Sequence, residues 1–192
     1  MKNGPMSQVP SLRSRLDALV IVDMQVASFA DGDKHDVPGV VERINILSHF
    51  VRRRGGVVIF IQHEGEEHEG LVPHSAGWEI LPSLETQTGD LVIRKTMNDA
   101  FAGTSLGDEL RGRSARSLGI AGWATDFCVD STIRSAVSRG FRVLVPSDAH
   151  TVSDRPHLSA LKIIDHHNRT WPGLIATPPV TVAPTRQLIG GD

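Results

Sequence analysis

Short runs of aliphatic and β-branched residues recur along this chain, each followed by a stretch with helical spacing. The runs occupy residues 18–22, 57–61, 91–93, 117–121 and 142–145. They are nearly continuously apolar, which is the pattern of strands covered on both faces in a parallel sheet. Residues 180–182 make a sixth, edge strand, bracketed by Pro178, Pro179 and Pro184. Between the runs, Val40, Ile44, Leu47 and Val51 fall on one helical face, with Pro38 opening that helix and Gly55 and Gly56 ending it. Residues from Thr104 to Arg111 predict a short helix. Asp154 and Pro156 predict the start of another, with Leu158, Leu161 and Ile164 at its spacing and Pro172 at its close. This alternation predicts an α/β fold: a mainly parallel sheet with helices on both faces, joined by right-handed crossovers.

In such a sheet, ligands bind beyond the carboxyl ends of the strands. Three chemically capable residues stand there: Asp23 after the first strand, Lys95 after the third and Cys128 after the fourth. Cys128 is the only cysteine in the chain. After it, Val129, Ile133, Ala136 and Val137 mark a helix face, Thr125 reads as the N-cap and Gly140 as the stop. That places Cys128 at N3, where free backbone N–H groups and the helix dipole favour an anion. A thiol at that position is expected to ionise more easily than a free one. The plainer alternatives stay open: a lone cysteine is also a small core residue, Asp23 also suits a cap, and Lys95 also suits a surface.

The 192 residues suffice for a single domain spanning 1–192, with residues 1–16 as a loose N-terminal arm. The segment 27–37 reads as loop, with turn chemistry at Asp31, Gly32 and Asp33. Residues 62–90 form a long polar excursion, of the kind that is functional or mobile in compact domains. A formal charge of −2, with Arg52, Arg53 and Arg54 as the one basic cluster at a helix end, argues against nucleic acid as a partner. No apolar run is long enough for a membrane span, and the first residues lack the apolar core of a secretory signal. One cysteine permits no internal disulfide, which suits a reducing, cytoplasmic setting.

Several segments together resemble the isochorismatase-like cysteine hydrolases, a family that includes nicotinamidases and carbamoylsarcosine amidases. They are residues 18–25, 92–96 with 99–104, 119–129, 139–143 and 147–149, in the family's order. The resemblance implies a three-layer α-β-α, Rossmann-like fold with a six-stranded, mainly parallel sheet, a catalytic triad of Asp23, Lys95 and Cys128, and a non-proline cis peptide at Trp123–Ala124 or one bond later. It also implies hydrolysis of a small amide, lactam or carbamoyl compound through a thioester. Asp23 would move the proton and Lys95 would supply fixed charge, while the backbone N–H groups of Ala124 and Cys128 would form the oxyanion hole. A homo-oligomer, dimer or tetramer, is implied as well. The alternatives are an isochorismatase-type vinyl-ether hydrolase that does not need the cysteine, and a non-catalytic member of the family.

Nicotinamidases of this family hold a divalent ion through an Asp-x-His pair after the second strand and a further His. Here Gln62 stands at the aspartate's place and Glu64 at the first histidine's. The reading is therefore of an enzyme with no metal and no cofactor, although His63, His68 and His74 share the loop with Glu64, Glu66, Glu67 and Glu69. Aromatic residues are few and tyrosine is absent, so those near the site are candidates for lining a pocket. They are Phe29, Trp78, Phe101, Trp123 and Phe127, with Gln62 as a polar member. His150 could reach the edge of the site, whereas Asp165, His166 and His167 read as helix surface.

Overall fold

The computed structural model describes residues 16–30 and 34–190. Strand β1 (Ala18–Val22) is buried on both faces and lies in the middle of the sheet. Its residues alternate between two cores. Ala18, Val20 and Val22 face one, and Leu19 and Ile21 face the other. Around it the sheet is assembled from β2 (Val57–His63), β3 (Leu91–Lys95), β4 (Ser117–Trp123), β5 (Arg142–Pro146), β6 (His150–Thr151) and β7 (Thr181–Ala183). The order is β3-β2-β1-β4-β5-β7, and every pairing is parallel. Strand β6, a two-residue piece beside the end of β4, is the seventh strand that the apolar runs did not announce.

Helices cover both faces. Helix α1 (Val37–Arg53) packs Val40, Ile44, Leu47 and Val51 onto the core that contains Leu19 and Ile21. The short final helix α5 (Thr185–Leu188), numbered by its place in the chain, adds Leu188 to the same side. On the opposite side lie α2 (Leu106–Gly112), α3 (Asp130–Ser138) and Trp171, with Leu106, Leu110, Ile133 and Ala136 buried. Burying each leucine or isoleucine side chain among these contributes roughly 1.5–3 kcal/mol. Helix α4 (Ala160–Thr170) seals the site end of the sheet through Ala160 and Ile163.

Strands β2, β3 and β4 each run two residues past their expected ends. The added residues include Lys95, buried against Asp23, and Gln62, buried with its amide donating to the Trp78 carbonyl. Leu16, assigned to the loose arm, is instead a core residue at 1% exposure; the rest of that arm and the Asp31–Asp33 turn lie outside the described residues. The helix expected from Asp154 and Pro156 begins only at Ala160. A turn closes between Arg155 and Leu158, and Asp154 Oδ1 accepts the Ala160 N–H at 2.7 Å. That shift changes the inner face: Leu161 is 61% exposed, and Ile163 packs inward in its place. Among the described residues no helix is long and apolar enough to cross a membrane.

Candidate active site

Parallel strands bring their carboxyl ends to one margin, and three of them meet here. Asp23 follows β1 in the left-handed region, φ 50°, with its N–H bonded to the Ile61 carbonyl at 3.0 Å. A non-glycine residue in that region is held by its surroundings, and such residues cluster at functional sites. Lys95 is the last residue of β3 and has a fully buried side chain. Its Nζ lies 2.7 Å from Asp23 Oδ2 and 3.3 Å from Cys128 Sγ. The other carboxylate oxygen, Asp23 Oδ1, is buried and is not engaged by Lys95. Cys128 is half-buried and is the free cysteine among the described residues.

The chain reaches Cys128 by a close approach. Gly122 has φ 118°, and a Cβ there would overlap the backbone of Val22, so only glycine lets β4 lie against β1 at this point. The Trp123–Ala124 peptide is cis. Residues Thr125–Val129 then form a π turn, and α3 starts only at Asp130. This corrects the expected helix start. Ala124 occupies the cap position, no side chain caps the turn, and the Thr125 hydroxyl faces His150 instead. Cys128 thus precedes the α-helix rather than sitting at N3.

The thiol's electrostatics are also the reverse of the expectation. Burial, followed by the neighbouring charge of Asp23, pushes the Cys128 thiol up to about 12, and Lys95 offsets this only in part. Burial likewise raises the Asp23 carboxyl from its ordinary value against the opposing pull of Lys95. A desolvated thiol beside a carboxylate stays protonated at neutral pH.

The proposed pocket residues divide into rim, buried support and core. Phe29 and Trp123 pack together at 5.6 Å between centroids, with Lys34 Nζ over the Trp123 ring. Phe127 is 49% exposed beside Cys128, under the Arg155 guanidinium, which also grips Asp126 through two bonds of 2.9 Å. Gln62 is buried, and its Nε2 donates to the Trp78 carbonyl at 2.9 Å. Trp78 is buried beside His74 and Arg94. Phe101 belongs to the main core, stacked on Phe141. His150 does not reach the sulfur; it is fully buried behind the π turn.

Two residues beside Asp23, Lys95 and Cys128 were not read from the sequence as neighbours of this cluster, although His63 was considered as part of a metal-binding loop. The exposed Asn98 lies with its Oδ1 3.6 Å from Cys128 Sγ. His63, paired with Lys95 across β2 and β3, feels the charges of both Lys95 and Asp23. No motif marks either residue. The position of His63 as the last residue of β2 was the available signal, and it required knowing that β2 extends past Ile61.

The divalent-ion site of the family's nicotinamidases does not fit these residues. Gln62 supplies an amide committed to Trp78, Glu64 pairs with Arg94 at 3.3 Å, and His74 Nε2 lies 3.3 Å from the same guanidinium. Glu66 and Glu69 cap each other's turn. Among the described residues no three His, Cys, Asp or Glu side chains gather as a metal cluster.

A doubly wound α/β sheet with a thiol, an ammonium and a carboxylate at its carboxyl margin defines the class of protein. The chain belongs to the isochorismatase family: the Isochorismatase domain model matches residues 17–170. It is 36% identical over 143 residues to a streptothricin hydrolase of Streptomyces noursei, a match covering 73% of this chain and 56% of that protein. The chain thus spans little more than half that relative's length. A ureidoacrylate amidohydrolase of Variovorax paradoxus is 26% identical, over 72% of this chain and 70% of its own. The crystal structure of an isochorismatase family protein superposes with a TM-score of 0.79 at 34% identity, covering 86% of this chain and 96% of that one.

Proposed function

We propose that this protein is a cysteine-dependent, metal-independent amidohydrolase acting on a small amide, lactam or carbamoyl compound. The observation that carries the reading is the single ammonium shared by a carboxylate and a thiol, Lys95 Nζ lying 2.7 Å from Asp23 and 3.3 Å from Cys128. The names of two relatives, an amidohydrolase and a streptothricin hydrolase, support the same direction.

The chemistry follows from the charges. In the resting site the sulfur is a thiol, so ionisation must accompany attack. Asp23 Oδ1, the carboxylate oxygen that Lys95 leaves open, takes the Sγ proton as sulfur bonds to the substrate carbonyl carbon. A carboxyl group raised toward neutrality is a stronger base than an ordinary one and still returns its proton readily. The carbonyl oxygen becomes an oxyanion, met by the backbone N–H groups of Ala124 and Cys128. Such a donor contributes about 3–4 kcal/mol in a well-studied protease. The C–N bond then breaks, Asp23 gives its proton to the nitrogen, and the amine leaves a thioester on Cys128. Water attacks that thioester while Asp23 takes its proton. The C–S bond breaks, and Asp23 restores the thiol. Lys95 stays charged throughout and limits the cost of negative charge on either partner.

The test is ammonia or amine release from a panel of small amides, lactams and carbamoyl compounds, with and without chelator. Turnover should survive the chelator and disappear in Cys128→Ala that remains folded. Undiminished turnover by that variant would sink the reading.

A further inference from the structure

Behind the π turn runs a buried polar chain that the proposed chemistry does not use. His150 Nδ1 lies 2.9 Å from Thr125 Oγ1, and its Nε2 lies 3.1 Å from Asn168 Oδ1. Asn168 Nδ2 donates to the Ser147 carbonyl at 2.9 Å. That last bond orders the others. A carbonyl only accepts, so Asn168 turns its NH2 to Ser147 and its oxygen to His150. The imidazole therefore carries its proton on Nε2. Nδ1 is left as an acceptor, and Thr125 must donate its hydroxyl proton to it. Burial holds the ring neutral, its pKa pushed down to about 4, so one tautomer persists across the neutral range.

The other end of the turn is tied from the same quarter. Trp171 Nε1 donates to Asp130 Oδ1 at 2.8 Å, and Asp130 is the first residue after the turn. The Trp171 and His150 rings meet edge to face at 5.1 Å. Thr125 and Asp130 bracket Cys128, so both ends of the nucleophile's turn are held by one buried cluster. π turns are rare, single-turn features found mostly at functional sites. With no side chain capping this one, its entry is held through Thr125.

We infer that His150 is a positioning residue: through the Thr125 hydroxyl it fixes the π turn that aims Cys128. The inference rests on the reading of Cys128 as the nucleophile and places no contact between His150 and substrate. An ordinary core histidine would affect stability alone.

The experiment compares the wild-type chain with Thr125→Val, Thr125→Ser and His150→Asn, at a temperature where circular dichroism shows each variant folded. Nitrogen-15 NMR of the wild-type imidazole should show His150 protonated at Nε2, with the Nδ1 resonance moving in Thr125→Val and returning in Thr125→Ser. On the panel amide that the wild type hydrolyses, Thr125→Val should lose about 10–100-fold in kcat, with KM within about twofold, because small displacements of a reacting group carry penalties of that size. Thr125→Ser should stay within about threefold. His150→Asn, whose oxygen can replace Nδ1 but not the bond to Asn168, should fall between them. If Thr125→Val does not fold, the NMR result with the other two variants decides. An Nδ1-protonated ring, or a folded Thr125→Val with unchanged kcat while Cys128→Ala is dead, overturns the inference and leaves the nucleophile reading standing. Full turnover by Cys128→Ala overturns both.

Discussion

Lys95 and Asp23 form an ion pair of 2.7 Å in which both side chains are all but closed to solvent, at 0% and 4% exposure. Taking charges out of water is costly, and a pair in this position is tolerated only while both partners are present. Lys95→Met should therefore destabilise the protein by about 3–5 kcal/mol, because it strands the Asp23 charge. The double variant Lys95→Met/Asp23→Leu should recover part of that loss. Urea unfolding of the two singles and the double reads the coupling, and simple additivity would argue that the pair is not coupled in solution.

The raised thiol makes a prediction opposite to that of an easily ionised cysteine. With the group pushed up to about 12, iodoacetamide should label Cys128 more slowly at pH 7 than it labels a free thiol. The rate should keep climbing with pH well past the range where a free thiol is fully ionised. Asp23 contributes to that elevation, so Asp23→Asn should speed labelling at pH 8 while abolishing hydrolysis. Mass spectrometry of the labelled peptide over a pH series gives both answers.

Asn98 is exposed, and its Oδ1 accepts from the Cys128 thiol at 3.6 Å. One hydrogen bond of this kind is worth about 0.5–1.5 kcal/mol. Asn98→Ala should accordingly lower kcat/KM by about 2–10-fold, with little change in stability for so exposed a residue. Steady-state kinetics beside a thermal melt separates these effects.

Burial pushes the His150 imidazole down to about 4, below its ordinary value of about 6.5. Between those values the unfolded chain binds the proton and the folded one does not, so stability falls as pH falls from about 6.5 and the loss is complete near 4. The shift corresponds to roughly 3 kcal/mol. Asp23, whose pKa is raised by folding, works in the opposite sense, favouring the fold on the acid side. The difference between wild type and His150→Asn isolates the imidazole: the variant's urea midpoint should fall less steeply between pH 7 and 4.5.

Gly122→Ala should cost more than an ordinary surface change, about 1–3 kcal/mol, since the added methyl meets the Val22 backbone at φ 118°. Activity should fall further than stability because β4 leads directly into the π turn. A thermal melt and a turnover assay on the same preparation make the comparison.

Much of this site was readable before any coordinates. Asp23, Lys95 and Cys128 are each found just after a strand-like run, and parallel strands share one carboxyl margin, so topology alone gathers them. Other features were not readable. Leu161 looked like a core residue because helical spacing has no way of knowing that Asp154 closes a turn and delays α4 to Ala160. Thr125 looked like a cap because local preference does not reveal a buried imidazole 25 positions away. Asn98 comes to the sulfur from a loop, where no periodicity points anywhere.

The amino-acid order by itself determined the alternating architecture and which three functional groups share an edge, because both follow from hydrophobic periodicity and chain direction. Only the tertiary structure decided the state of those groups: a thiol held protonated, a carboxylate with one open oxygen, a turn widened and tied from behind. Those properties depend on desolvation and on distances between segments remote in sequence, and neither is encoded in any local stretch.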